Sequence, residues 1–413
     1  MSKQTAVFLL IFLHIPCIFS QWQQIISPTN SKINSIYFVD MNTGYFITED
    51  VFNINNIFKT TNGGNNWAFN ASANFRMKSV YFMNSQTGFI AGMEHIFVTT
   101  DGGNSWVDKP KLNYEIYDIR NVTSNYILGV GFMISSQYTT ILQSYTSGST
   151  WTSQIVYNGS TSRLHAIRFT NSGTGFTCGE YGTVMRIIDG GPWQFQVTGT
   201  TNHLYALSFL NSLTGYLAGA NSTLVKTSNS GTNWLILNTG FSNIDFRAIT
   251  FVDLSTGYVA GTNGFIAKTT NSGLNWLQQI GVTNANLNSL VHLNKDTLFA
   301  VGDSGVMLRT YNGGVIGINN IGSQIPGSYS LHQNYPNPFN PVTCIRFDIP
   351  KSSMVRLVIF DELGKEVSLL VQKELKAGKY SVDWNITNFT SGIYFCKLNA
   401  NSFIETIKMV VVK

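Results

Sequence analysis

The sequence predicts an all-β protein, a seven-bladed β-propeller followed by a small antiparallel β-sandwich domain. Three observations carry that expectation. Six times a strand-like run ends in a glycine-rich turn and a tryptophan: TTNGGNNW (60–67), TTDGGNSW (99–106), SYTSGSTW (144–151), RIIDGGPW (186–193), TSNSGTNW (227–234) and TTNSGLNW (269–276). The Trp-to-Trp spacings are 39, 45, 42, 41 and 42 residues, the period of a four-stranded blade. Beyond residue 330 the repeat stops, and alternating strands punctuated by proline and glycine take over.

The chain opens on Lys3 and the apolar run AVFLLIFLHIPCIF, ending at Ser20. This is the pattern of a secretory signal peptide over 1–20, too short for a spanning helix. Pro16 precedes Cys17 where a lipoprotein signal needs a small residue, so no lipid anchor is expected. No later run of about 18 apolar residues appears, so no membrane span is expected.

Residues 21–317 are expected to form the propeller. Each repeat has three lines. The first is a strand such as INSIYF (33–38), MKSVYF (77–82) or LYALSF (204–209). The second is a turn and strand such as TGYLAG (214–219), and the third runs into the glycine-rich turn. There are seven of each, because LRTYNGG (308–314) is a seventh third line. No Trp follows it, and Trp22 stands unmatched ahead of the first strand. The economical reading is that the N-terminal strand completes the last blade and pairs edges an open array would expose. In the turns, Asn or Asp caps backbone N–H groups two residues on, and Gly supplies positive φ. The Trp ring packs on neighbouring turns, with its N–H placed to find a partner.

Residues 318–330, rich in Gly, Ile and Ser, read as a linker, and 331–413 as the sandwich. Pro336, Pro338 and Pro341 rule out a helix and favour an extended entry into a strand. Cys344 and Cys396 alternate onto opposite faces of their strands, which argues against a disulfide between them.

Charged residues make up only 11% of the chain, and residues 21–330 carry 15 Lys/Arg against 14 Asp/Glu. With no basic stripe, nucleic acid is not an expected partner. Three cysteines follow the signal segment, with no CxxC and no His at ligand spacing, so no metal and no cofactor are expected.

The turn-and-Trp unit resembles the Asp-box, or BNR, repeat of sialidases. The whole repeat with its TGY/F line looks closest to propellers of the photosystem II assembly factor type. That resemblance implies a scaffold role for Asp101, Asp189 and the equivalent Asn residues. The tail resembles the type A C-terminal sorting domain of type IX secretion substrates. Tyr335, Pro336, Asn337, Pro338, Phe339, Gly364, Gly378, Trp384, Gly392, Tyr394 and the strand bounded by Lys408 and Lys413 carry the match. It implies passage through the periplasm of a Gram-negative bacterium, recognition by the type IX machinery, and release or attachment at the outer cell surface.

A glycosidase needs two opposed carboxylates, and the carboxylates here fall mostly in turns: Asp40, Asp253, Glu180 and Asp303. Glu49–Asp50 reads as a solvated loop. A secreted glycoside hydrolase, sialidase-like or of another Asp-box propeller kind, is the alternative reading, and no catalytic residue is assigned. The preferred reading is an exported propeller that binds or adheres to an extracellular glycan or protein. The second residue of each first strand (Asn34, Lys78, Tyr117, His165, Tyr205, Arg247, Asn288) is expected to line the axial channel. Of these, Lys78, Tyr117, His165, Tyr205 and Arg247 are the candidate contact ring. Two places on, positions 36, 80, 119, 167, 207, 249 and 290 are apolar, as core packing requires.

Overall fold

The computed structural model describes residues 22–412 apart from 51–54, 110–111, 157–161, 172, 280–281, 312, 315–318, 323–324, 341 and 387–388. The expected signal peptide over 1–20, Pro341 and Lys413 lie outside the described residues. The described chain is all-β apart from single turns of 3₁₀-helix, and divides into compact units at 21–314 and 315–413.

The first unit is a ring of seven four-stranded antiparallel sheets. Blades one to six span 32–73, 77–108, 114–155, 164–196, 204–236 and 246–278, with strands running from inside to outside in chain order. Blade seven joins 287–310 to the N-terminal strand Gln23–Gln24, which pairs outermost in the register Gln23↔Arg309 and Gln24↔Leu308. Innermost strands pack neighbour on neighbour round the ring, blade seven against blade one. Trp22 is fully buried beside Leu298 and Leu308, edge-on to Tyr258 at 6.4 Å. The N-terminal strand therefore closes the ring, and Trp22 supplies the seventh turn's tryptophan.

Asx turns join the two inner strands of the blades. The Asp40 carboxylate accepts from the Asn42 and Thr43 N–H groups, both at 2.7 Å, and Asn84, Asn171, Asn211, Asp253 and Asn294 repeat the pattern. The second strand that follows, such as Gly215–Gly219, is buried throughout, because sheet neighbours flank it and adjoining blades cover both faces.

The glycine-rich turns are capped differently from the expectation. The Asp101 carboxylate accepts from the Ser105 N–H at 2.9 Å, four residues on rather than two, while Thr99 Oγ1 accepts from the Gly103 N–H at 2.8 Å. Bonds from the Ser105 hydroxyl and N–H and from the Thr99 hydroxyl hold the Asp101 carboxyl down at about 2. Asn62, Asn229 and Asn271 repeat the arrangement, each with its Thr. Asp189 does not belong to this set. It stands one place later, at the positive-φ position (φ 48°) that Gly63 and Gly102 fill elsewhere, and the cap position is Ile188, which has no acceptor. Nor do all the indoles find partners. Trp106 Nε1 donates to Asn70 and Trp151 Nε1 to the Gly148 carbonyl, whereas Trp67, Trp234 and Trp276 bury Nε1 without one.

These turns seal the seams between blades. A Cβ on Gly64, Gly103, Gly148 or Gly231 would lie 2.5–2.8 Å from a ring atom of Phe299, Tyr45, Phe89 or Phe176, on the second strand of the preceding blade. At three seams polar groups add to the contact. Tyr45 Oη and Lys59 Nζ both donate to the Gly102 carbonyl (2.5 and 2.8 Å). Tyr216 and Lys226 converge likewise on Ser272, and Tyr258 and Lys268 on Gly313.

The second unit holds two four-stranded antiparallel sheets around one core containing Ile345, Phe347, Leu357, Trp384, Tyr394 and Met409. One sheet has the order 319–322, 378–385, 342–349, 330–331; the other has 366–375, 353–361, 392–400, 403–411. Asn319–Gly322, read from sequence as linker, is thus an edge strand paired with Gly378–Asn385. Cys344 faces outward in the first sheet and Cys396 inward in the second, and both are free.

Trp22→Ala is expected to lower propeller stability by about 3–5 kcal/mol, the cost of a large-to-small change at a fully buried aromatic site. Ile26→Ala, at a side chain 95% exposed, should leave it unchanged. Urea unfolding of both variants checks the closure, and an unaltered midpoint for Trp22→Ala refutes it.

Candidate functional site: the channel mouth

The channel mouth is built by a backbone irregularity repeated seven times. In every innermost strand the pairing register shifts across one residue: Asn34, Lys78, Tyr117, His165, Tyr205, Arg247 and Asn288 in blades one to seven. A β-bulge leaves its extra residue out of the ladder and re-aims the side chain. That also explains the spacing in the sequence. Strict alternation puts residues i and i+2 on one face, but here the buried residues are Ile33 and Ile36, or Leu204 and Leu207, three apart with the bulge between them.

A glycine faces the bulge in six blades. Gly92, Gly131, Gly179, Gly219, Gly261 and Gly302 pair with the residue before the bulge. A Cβ at any of them would come within 1.9–2.1 Å of the backbone carbonyl oxygen two residues before the bulge. The last glycine of the TGYLAG line is therefore required by this close approach.

The bulged side chains meet around a cavity of about 330 Å³, lined by Asn34, Lys78, Tyr117, His165, Tyr205, Arg247 and Lys32. All five residues of the candidate ring are brought together. Asn288 lies just behind, accepting from Arg247 at 2.7 Å and donating to Asp303 at 2.8 Å.

Chemistry divides the mouth into two arcs. Blades three to five present aromatics: the Tyr117 and His165 rings lie edge-to-face at 5.1 Å, and Tyr205 follows at 5.5 Å from His165. Blades one and two present charge. Lys78 Nζ stands between Glu49 (3.5 Å) and Glu115 (3.7 Å), and Glu49 also meets Lys32 and Arg76 at 3.8 Å. Asn34 donates to Glu49 at 2.8 Å, and Tyr117 to Glu115 at 2.8 Å. Burial pushes the Glu49 carboxyl up, but the Asn34 amide and the two lysines outweigh it, leaving Glu49 an anion held below its usual range.

Glu49 therefore corrects the solvated-loop reading, since it ends a strand at the mouth and anchors three cations. Glu115, two residues before a bulge, was also missed, because sequence distance hides its ion pair with Lys78 across blades, and so was Lys32, which pairs with Glu49 on the adjacent strand of its own blade. Glu180 and Asp303 do sit in turns, but those turns border the mouth. Glu180 takes an ion pair from Arg163 at 3.3 Å.

Burial lowers His165 from the usual 6.5 to about 4, although the Glu180 carboxylate pulls the other way. His165 is thus a neutral ring through the physiological range. An unfolded chain takes up this proton below about 6.5, while the folded one resists until about 4. Stability should therefore drop as the pH is lowered from about 6.5 to about 4, and rise as it is raised through that window. His165→Gln should flatten that part of the profile of melting temperature against pH, and an unchanged slope contradicts the assignment.

The comparisons with known proteins agree with this architecture. Residues 333–413 match the family model of the secretion system C-terminal sorting domain. Residues 17–125 and 189–283 match that of the photosynthesis system II assembly factor YCF48. No curated protein matches the chain. The solved structure of YCF48 bound to D1 peptide is similar at a TM-score of 0.58 and 20% identity, covering 71% of this chain and 98% of that one. YCF48 from Cyanidioschyzon merolae is similar at 0.59 and 18%, covering 70% and 98%. PorZ, an essential bacterial surface component of the type-IX secretion system of Porphyromonas gingivalis, is similar at 0.52 and 15% identity, covering 91% of this chain and 59% of that one. At these identities the structures establish the fold. The chain is a propeller similar to YCF48 followed by a sorting domain, which implies export to the cell surface or secretion. Among the described residues no helix is long and apolar enough to cross a membrane.

Proposed function

We propose that this chain is an exported binding propeller, delivered by the type IX machinery through residues 331–413, which takes an extracellular glycan or protein at its channel mouth. The ring of bulges is the observation that carries the reading. Of the seven side chains at these backbone irregularities, six line one cavity at the channel mouth, and bulges gather where a side chain must be re-aimed for use. The lining mixes aromatic faces with Lys, Asn and Arg termini, the composition of a recognition surface. Glu49 and Glu115 both serve Lys78 in ion pairs, which favours binding over an acid–base pair.

Arrays of glycans and extracellular-matrix proteins probed with the full chain would identify the ligand. Tyr205→Ala and Arg247→Ala should then each weaken binding by about 1–3 kcal/mol, as aromatic and Arg anchors do. Their melting temperatures should stay close to the parent's. Titration calorimetry on both variants decides the matter, and wild-type affinity in both places the site elsewhere.

Deleting residues 331–413 should leave a folded propeller in the periplasm. Fractionation of cells that possess the type IX machinery tests this, and wild-type amounts of the truncated protein outside the cell refute the address.

A further inference from the structure

The last strand of the sorting domain, Phe403–Val411, is an edge strand in sheet order, yet its open side is occupied from Lys408 to Val412. Asn337 holds it like a peptide group. Its Oδ1 accepts from the Val410 N–H at 2.8 Å, and its Nδ2 donates to the Lys408 carbonyl at 3.3 Å. Gln333 Nε2 donates to the same carbonyl at 2.9 Å, and Glu405 accepts from the Leu331 N–H at 2.8 Å. Phe339 completes the cover, its N–H donating to the Val410 carbonyl and its own carbonyl accepting from Val412. The Phe339 side chain is buried against Trp384 at 5.6 Å. The proline-rich motif is thus a substitute strand. It engages the outward groups from the Lys408 carbonyl to the Val412 N–H, the stretch of edge on which a partner could otherwise add to the sheet.

What remains readable is the outer face of the last two strands. Directly opposed pairs on that face are Ile393 with Val410, Phe395 with Lys408, Lys397 with Thr406 and Asn399 with Ile404. Ile404 is 63% exposed, and Thr406 and Lys408 are exposed beside it. The paired positions hold no carboxylate. Among the described residues neither Lys397 nor Lys408 has one within ion-pair reach. The far half of the sheet differs, since there Arg356 is bonded to Glu366 at 2.6 Å.

We propose that the export machinery reads this domain by docking an acidic protein surface on the Lys397–Lys408 face, and that Asn337 is a positioning residue that guards the strand edge and holds that face in place. The inference rests on the sorting reading above.

Export of the full chain is compared with that of three variants in a bacterium carrying the type IX machinery. Lys397→Glu/Lys408→Glu should melt like the parent but stay in the periplasm, with extracellular yield down about tenfold or more, since like charges brought together oppose docking. If that pair fails to fold, Lys397→Gln/Lys408→Gln carries the same test. Wild-type export of a folded variant overturns the face. No export of the parent chain sinks the sorting reading itself, a different outcome from export of parent and variant alike. Asn337→Ala should speed hydrogen exchange at the Val410 amide and produce concentration-dependent self-association through the bared edge. A monomer with unchanged Val410 exchange overturns the guard.

Discussion

The propeller depends on one contact repeated at five seams of the ring: a turn glycine (Gly64, Gly103, Gly148, Gly231 or Gly273) seated on an aromatic ring of the preceding blade. No side chain larger than hydrogen fits there, and the positive φ of those glycines (73–82° at Gly64, Gly103, Gly148 and Gly231) excludes other residues independently. The turn chemistry, the Trp that follows and the buried Tyr or Phe of the second strand are one device. The exception supports this. Blade three carries Leu128 where its neighbours carry Tyr or Phe, and blade four's turn is the one with Ile188 at the cap. Both halves of the contact are lost together at that seam. Nearer the axis, the innermost strands of the same two blades are joined by charge: buried Asp118 of blade three takes ion pairs from Arg120 at 2.8 Å and from Arg168 of blade four at 2.5 Å, and accepts the Ile167 N–H. A desolvated carboxylate tolerates burial only when paired and hydrogen-bonded this fully, and the arginines keep Asp118 ionised against the push of burial.

Because the seams lie away from the axis, the bulged residues are released from packing. A bulged side chain faces neither adjacent sheet, so the core places no demand on its shape. Lys, Tyr, His, Arg and Asn can all occupy a site whose neighbours one place before and two places after are apolar and buried in every blade. Backbone rigidity and chemical freedom therefore coincide at the mouth. Such a site needs little reordering when a ligand arrives, which keeps the entropic cost of binding low.

Much of this was legible in the sequence, for a physical reason. Blades repeat because their seams repeat, so turn spacing reported the architecture, and the unmatched Trp22 reported the closure. The ring positions were legible too, as the one polar place before an apolar residue. The bulge was not, although Ile33 and Ile36, three apart where a plain strand alternates by two, carry its trace. Glu49 and Glu115 stayed hidden because only the closed ring brings blades one, two and three to a common lysine. Asp189 misled because identity was read ahead of register: an Asp one place late cannot cap the turn. Asn319–Gly322 passed for linker because an edge strand needs neither length nor alternation to pair.

The two units manage their strand edges in different ways. In the propeller the innermost strands pack neighbour on neighbour round the ring, and each blade leaves only its short outermost strand as an edge. An open sandwich cannot avoid edges, and an exported chain passes through crowded compartments where an unpaired edge invites the wrong partner. Occupying that edge with Asn337, Gln333 and Phe339 answers the hazard from within the domain, at the expense of strand addition as a means of recognition. Residues that would be read by eye as the recognition signal are then engaged internally: Phe339 is buried and Asn337 is committed to the backbone of its neighbour. On the proposal made above, export specificity falls to groups still in contact with solvent. A motif can therefore be indispensable to sorting without being touched by the machinery that sorts.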